Sequence, residues 1–185
     1  MSKILFINAC MRTESRTEEL AKCVLEKLQG NIEEVKLYEK NISPLNLESF
    51  QIRNQAFLNK DFSNELFDLA KQFAEAETIV VAAPYWDLMF PAVLKVYFET
   101  ITVNGLTFKY GANGIPQGLC KAKKLIYVTT SGGPIFKNFG YEYVSTIAKT
   151  FFNIEDTAFI SAQGLDIHGA DVEKILSEAK NDIKL

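Results

Sequence analysis

Short apolar runs alternate along the chain with longer amphipathic segments. The clearest runs are Lys3–Asn8 (KILFIN), Thr78–Pro84 (TIVVAAP) and Lys124–Ser131 (KLIYVTTS). Their length and their β-branched residues are typical of buried strands. The runs IEEVKLY, from residue 32, and TAFISAQGL, from residue 157, predict two more strands.

The segments between these strands show helical spacing. The first of these segments starts at Ser15. Its apolar residues Leu20, Val24 and Leu28 recur on one helical face, and Gly30 ends the run. The other predicted helices cover residues 47–76 (two helices with a break near Asp61), AVLKVYFETI after Pro91, residues 141–152 and DVEKILSEAKNDI.

This order of strands and helices predicts an α/β fold over residues 1–185, as one domain. Regular alternation implies a parallel sheet with helices on both faces, and five strands suit the flavodoxin-like order 2-1-3-4-5, a three-layer sandwich. Ligands of such sheets bind beyond the carboxyl ends of the strands. We therefore expect the loops 9–17, 84–91 and 130–136 to lie together.

The first loop, CMRTESRT, has the features of an anion site. Ser15 and Thr17 offer hydroxyl groups, the helix start offers unpaired N–H groups, and Arg16 adds a positive charge. An ordinary helix cap, with Ser15 and Glu18 forming a capping box, explains the same residues. Cys10 and Arg16 also have the Cys-x5-Arg spacing of a phosphatase nucleophile loop.

The second loop, PYWDLMFP, is unusually apolar for a connection after a strand. Such a loop covers a flat apolar group or packs against another subunit. An isoalloxazine ring is both flat and apolar, so it fits the first case. The simpler alternative is that these residues only fill the core.

The third loop, TTSGGPIF, contains the adjacent glycines Gly132 and Gly133. Glycine allows backbone N–H groups to approach a ligand closely, although an ordinary turn would use the same residues.

Composition and charge narrow the function further. A net charge of −3 argues against nucleic acid as a partner. Three scattered cysteines and one histidine argue against a metal site and indicate reduced thiols in a cytoplasmic protein. The longest apolar region, residues 79–94, contains two prolines and Asp87, so no membrane span is expected.

Taken together, four segments resemble the family of FMN-dependent NADH-azoreductases and NAD(P)H:quinone oxidoreductases. They are SRTEELA, APYWDLMFPAVLKVYFETITVNGLTFKY, GLCKAKKLIYVTTSGG and SAQGLD, and they follow the family's order along nearly the whole chain. The resemblance implies two-electron reduction of quinones, azo or nitro compounds by ping-pong hydride transfer through flavin N5, with NADH or NADPH as reductant. It also implies a homodimer and no catalytic side chain.

The resemblance assigns cofactor contacts to all three loops. The residues implied to bind FMN are Ser15, Arg16, Thr17, Pro84, Tyr85, Trp86, Asp87, Leu88, Thr130, Ser131, Gly132 and Gly133. Trp86 and Tyr110 are the implied substrate-binding residues. Asp87 stands where the family usually has asparagine, and Ser131 stands where azoreductases often have arginine. Both departures bear on substrate range. At position 87, a carboxylate accepts hydrogen bonds but does not donate them, so any contact made by the asparagine N–H groups is lost.

Four other functions remain open from the sequence. An NADPH-dependent FMN reductase and a flavodoxin-type electron carrier share the fold and the cofactor. An oligomeric flavin-binding sensor would bind FMN without turnover. A low-molecular-weight phosphatase would use Cys10 and Arg16, but the chain lacks the Asp-Pro that supplies its general acid.

Overall fold

The computed structural model describes residues 2–185. Within them, the strands in chain order are β1 (Lys3–Asn8), β2 (Asn31–Lys36), β3 (Thr78–Ala82), β4 (Phe108–Tyr110), β5 (Pro116–Gly118), β6 (Lys124–Thr130) and β7 (Asp156–Ala162). Five of them form a parallel sheet in the order β2-β1-β3-β6-β7. When only these five strands are numbered in chain order, the sheet order is 2-1-3-4-5, so the predicted topology is confirmed.

The helices flank this sheet on both faces. They are α1 (Arg16–Glu26), α2 (Leu47–Asn59), α3 (Asp68–Glu75), α4 (Ala92–Ile101), α5 (Phe139–Phe152) and α6 (Val172–Asn181), with single 3-10 turns at Leu37–Glu39 and Glu65–Phe67. α1 ends at Glu26, earlier than the predicted stop at Gly30. Pro91 is the N-cap of α4, directly before its first helical residue. None of the helices within residues 2–185 combines the length and apolar character needed to cross a membrane.

The apolar run of β1 divides between two cores. Leu5 and Ile7 belong to the core under α3, α4 and α5, whereas Ile4 and Phe6 belong to the core under α1 and α6. Side chains of a strand alternate between its two faces, so a run that is buried on both faces has to be continuously apolar. The predicted three-layer arrangement follows from this double burial.

A second, two-stranded sheet was not predicted from the sequence. β4 and β5 pair antiparallel in the segment that follows α4. Thr107 anchors this hairpin, because its buried hydroxyl donates to the Ile101 carbonyl at 2.7 Å and accepts from the Val103 N–H at 2.9 Å. Phe108 packs edge-on against Phe151 of α5, with ring centroids 5.0 Å apart. Strands of three residues carry too little alternation to be recognised without these contacts.

Candidate functional site

A cavity of about 400 Å³ opens at the carboxyl edge of the large sheet. It is formed by the loops after β1, β3 and β6, which the topology was expected to bring together, and by the loop after β7. Most of the predicted cofactor-binding residues line it: Ser15, Arg16, Thr17, Pro84, Tyr85, Trp86, Thr130, Ser131 and Gly132.

The start of α1 presents backbone donors to this cavity. Ser15 is the N-cap, in an extended conformation (φ −92°, ψ 116°), and its hydroxyl accepts from the Glu18 N–H at 3.3 Å. The Glu18 carboxylate pairs with Lys22 at 2.7 Å. Among residues 2–185, the N–H groups of Arg16 and Thr17 have no hydrogen-bond acceptor. The cap thus satisfies one of the orphan donors, and two remain for an anion.

A buried pair of hydroxyls joins the first loop to the third. The Oγ1 atoms of Thr17 and Thr130 are 2.6 Å apart, and both side chains are almost fully buried. This hydrogen bond joins the start of α1 to the end of β6, so it ties two walls of the cavity together.

The third loop contributes one more donor to the cavity, the Gly132 N–H. The Ser131 N–H is bonded to the Ala162 carbonyl at 3.0 Å, whereas the N–H groups of Gly132 and Gly133 have no acceptor within residues 2–185. A Cβ atom at position 132 would lie 2.4 Å from Oδ2 of Asp166, so any larger residue there would displace that carboxylate. Gly133 lies in open space and outside the cavity lining.

The second loop forms one rigid wall. The Tyr85 N–H donates to the Thr130 carbonyl at 3.0 Å, and the Tyr85 hydroxyl donates to the Lys137 carbonyl at 2.9 Å. Because both ends of Tyr85 are bonded, its ring is held at the cavity. Trp86 also lines the cavity and is 36% exposed.

The next two residues turn away from the cavity. Trp86 and Met89 exchange two backbone hydrogen bonds, of 3.3 and 2.8 Å, around a two-residue turn. Asp87 (φ 51°) and Leu88 (φ 67°) both adopt the left-handed region, which costs a leucine about 1 kcal/mol. They line an open groove with Phe139 rather than the cavity. Their proposed contacts with the flavin stay predictions.

The predicted site residues and the residues that line the cavity differ in two further ways. Tyr110, the second implied substrate residue, lies on β4, is 55% exposed and does not line the cavity. Conversely, the sequence reasoning missed five lining residues: Met11, Arg12, Glu14, Leu165 and Asp166. The last two follow β7, whose carboxyl end reaches the same sheet edge as the other strands. The topology itself could therefore have indicated them.

The environment of Cys10 argues against the phosphatase hypothesis. The side chain is largely enclosed, its thiol lies 3.8 Å from the Ala82 carbonyl, and it does not line the cavity. Burial raises the pKa of the Cys10 thiol to about 11. A phosphatase nucleophile requires the opposite, because only the thiolate attacks phosphorus.

Comparison with known proteins places this geometry in a family. A family model described as a flavodoxin-like fold matches residues 2–185. The chain is 39% identical to the FMN-dependent NADH:quinone oxidoreductase of Coprothermobacter proteolyticus, over 98% of this chain and 96% of the relative. It is 40% identical to the protein of the same name from Lachnoclostridium phytofermentans, over 97% and 95%.

Solved structures agree on the fold. The azoreductase of Bacillus anthracis superposes with a TM-score of 0.83 at 23% identity, over 98% of this chain and 96% of that one. An FMN-dependent NADH-azoreductase from the same species, solved in complex with FMN, superposes with a TM-score of 0.81 at 24% identity, over 98% and 95%. At these identities the likeness concerns the fold alone. Because the curated relatives are more similar and span nearly the whole chain, the chain belongs to the flavodoxin-like family of FMN-dependent NADH:quinone oxidoreductases, as its motifs predicted.

Proposed function

We propose that this protein is an FMN-dependent NAD(P)H oxidoreductase that reduces quinones, azo and nitro compounds by two electrons in a ping-pong sequence. The observation that carries the proposal is the convergence of three unpaired backbone N–H groups and two aromatic side chains on one cavity at the sheet edge. The names of the curated relatives support FMN, NADH and quinone as the reactants.

The residues of the cavity fit FMN. The N–H groups of Arg16 and Thr17, with the Arg16 guanidinium, would hold the phosphate, because helix N-termini favour a dianion. Tyr85 and Trp86 would bound one side of the ring, and the Gly132 N–H would donate to its polar edge.

The protein's own share is binding and orientation. FMN, when bound, would accept a hydride from NADH or NADPH and pass two electrons to the acceptor. Tyr85 is bonded at both ends and Thr17 is locked to Thr130, so these walls need no rearrangement when a ligand enters. Preorganised dipoles stabilise negative charge at the ring more effectively than mobile water does.

A steady-state assay separates this function from its alternatives. Purified protein is incubated with FMN, and NADH or NADPH oxidation is followed with and without menadione. We expect oxidation that depends on menadione, with parallel double-reciprocal lines, and that does not rise with FMN beyond saturation of the site. A Cys10→Ser variant should retain this activity.

The other outcomes each contradict the proposal in a different way. Consumption of free FMN without menadione would identify an FMN reductase. Flavin binding with negligible turnover would identify a carrier or a sensor. Hydrolysis of p-nitrophenyl phosphate that is lost in Cys10→Ser would restore the phosphatase hypothesis.

We also infer that a second copy of the chain covers the groove beside the cavity. This groove lies between the Asp87–Leu88 turn and the start of α5. Leu88 is 45% exposed and Phe139 46%, and nearby Phe136 is 79% exposed. Large apolar side chains that cluster in this way on a surface mark an interface. The groove is continuous with the loop that carries Trp86, so a partner seated there would also border the cavity.

Replacing Phe139 by glutamate should break this dimer. The charge would be buried against apolar groups in the interface, whereas in the monomer it would lie in the first turn of α5, where acidic residues are favourable. Sedimentation velocity at micromolar concentration should give a dimer for the wild type and a monomer for Phe139→Glu. Phe57→Glu is the matched control, since Phe57 is equally exposed (46%) on α2. A monomeric wild type, or dissociation caused by the control instead, would contradict the inference.

A further inference from the structure

An ion pair crosses the anion end of the cavity. Nη1 of Arg16 lies 2.8 Å from Oδ1 of Asp166, and the two side chains are 43% and 70% exposed. The pair joins the start of α1 to the loop after β7, residues that are 150 positions apart in the chain. Both residues line the cavity, so the pair lies at its rim.

Hydrogen bonds hold the backbone that carries the Asp166 carboxylate. The Asp166 N–H donates to the Gly132 carbonyl at 2.9 Å, and the neighbouring Leu165 N–H donates to the Ser131 carbonyl at 3.1 Å. Leu165 is buried, and Gly132 leaves no space for a Cβ atom beside the carboxylate. Arg16 has a long side chain with many rotatable bonds, so its guanidinium can turn from the carboxylate to a phosphate while its backbone stays in place.

The charges around the cavity are balanced before a ligand arrives. Arg12 and Arg16 supply two positive charges, and Glu14 and Asp166 supply two negative ones. A dianionic phosphate therefore meets a rim whose most directly placed cation is already paired.

We propose that Asp166 competes with the ligand's phosphate group for Arg16 and thereby lowers the affinity of the site for FMN. Asp166 is then a specificity-determining residue that keeps the cofactor exchangeable. The inference rests on the proposed function, since it assumes that FMN binds in this cavity. Binding of FMN redirects Arg16 from the carboxylate to the phosphate, so the affinity reflects the difference between the two pairs.

Fluorescence titration of the apoprotein with FMN and with riboflavin tests the proposal. Riboflavin has the same ring but no phosphate, so it reports effects that do not involve the anion. Asp166→Asn should lower the Kd for FMN about fivefold, the equivalent of an exposed ion pair, and should leave the Kd for riboflavin unchanged. Asp166→Ala should act in the same direction, which guards against a defect peculiar to one variant.

Two controls isolate the mechanism. Glu75→Gln removes the same formal charge from another exposed pair, with Lys121, and should change neither Kd. In an Arg16→Gln background, Asp166→Asn should change the Kd for FMN less than twofold, because the group that Asp166 competes for is gone.

Each contrary result points to a different failure. If the wild type binds FMN but the Asp166 variants bind it equally or more weakly, the competition is overturned and the proposed function stands. Equal tightening of riboflavin, or a full effect in the Arg16→Gln background, also overturns it. If the wild type fails to bind FMN, both the proposed function and this inference fall.

Discussion

Replacing Arg16 by proline is expected to weaken FMN binding about 100-fold without weakening riboflavin binding. The substitution removes two contacts with the phosphate, the guanidinium and the backbone N–H at the first helical position. A hydrogen bond to a charged group contributes about 1.5–3 kcal/mol, so the loss of both is larger than either alone. Arg16→Gln keeps the N–H and should weaken FMN binding only about tenfold.

The structure indicates that proline is tolerated at this position. Ser15 is extended (φ −92°, ψ 116°), the conformation that a residue before proline prefers. The first helical position accepts proline, and the Arg16 N–H has no acceptor within residues 2–185 that would be lost. The free energy of unfolding should therefore stay within about 0.5 kcal/mol of the wild type.

Flavin fluorescence titration and urea unfolding measure the two quantities on the same samples. The difference between the proline and glutamine variants is the contribution of a single backbone donor at the helix N-terminus. Equal FMN affinities for these two variants would show that the N–H does not contact the phosphate, and the anion would have to be held elsewhere.

Gly118→Ala is expected to lower the free energy of unfolding by about 3 kcal/mol. A Cβ atom at this position would lie 2.2 Å from the carbonyl carbon of Phe152 and 2.4 Å from the nitrogen of Asn153. These are backbone atoms at the end of α5, where Asn153 adopts the left-handed conformation and its N–H donates to the Ala148 carbonyl. No side-chain rotation can relieve such a contact, so the hairpin of β4 and β5 has to separate from α5.

Urea unfolding monitored by circular dichroism measures this loss. Gly133→Ala is the matched control, because a Cβ atom there meets no other atom within 4 Å, and its free energy of unfolding should match the wild type. A Gly118→Ala variant as stable as this control would mean that the hairpin does not pack against α5 in solution.

Much of the fold could be predicted from local patterns alone. The run Lys3–Asn8 is short and apolar at every position from Ile4 to Ile7, as expected for a strand that is buried on both faces. The structure distributes these residues between two cores. The alternation of such strands with amphipathic helices leaves few topologies. The cap at Ser15 could also be predicted, because capping depends only on residues that are neighbours in the sequence.

The sequence by itself thus determined the sheet order, the edge where the loops meet and the family. Only the tertiary structure decided which residues face the cavity. Asp87 and Leu88 follow Trp86 directly, yet a two-residue turn directs them into a separate groove. Cys10 has the spacing of a nucleophile, yet burial keeps its thiol protonated. The Arg16–Asp166 pair joins residues far apart in the chain, and only the packing of β7 beside β6 brings them together. Local periodicity reports which side of an element is buried. Contacts between distant loops depend on how the elements are arranged in space, and no local pattern encodes that arrangement.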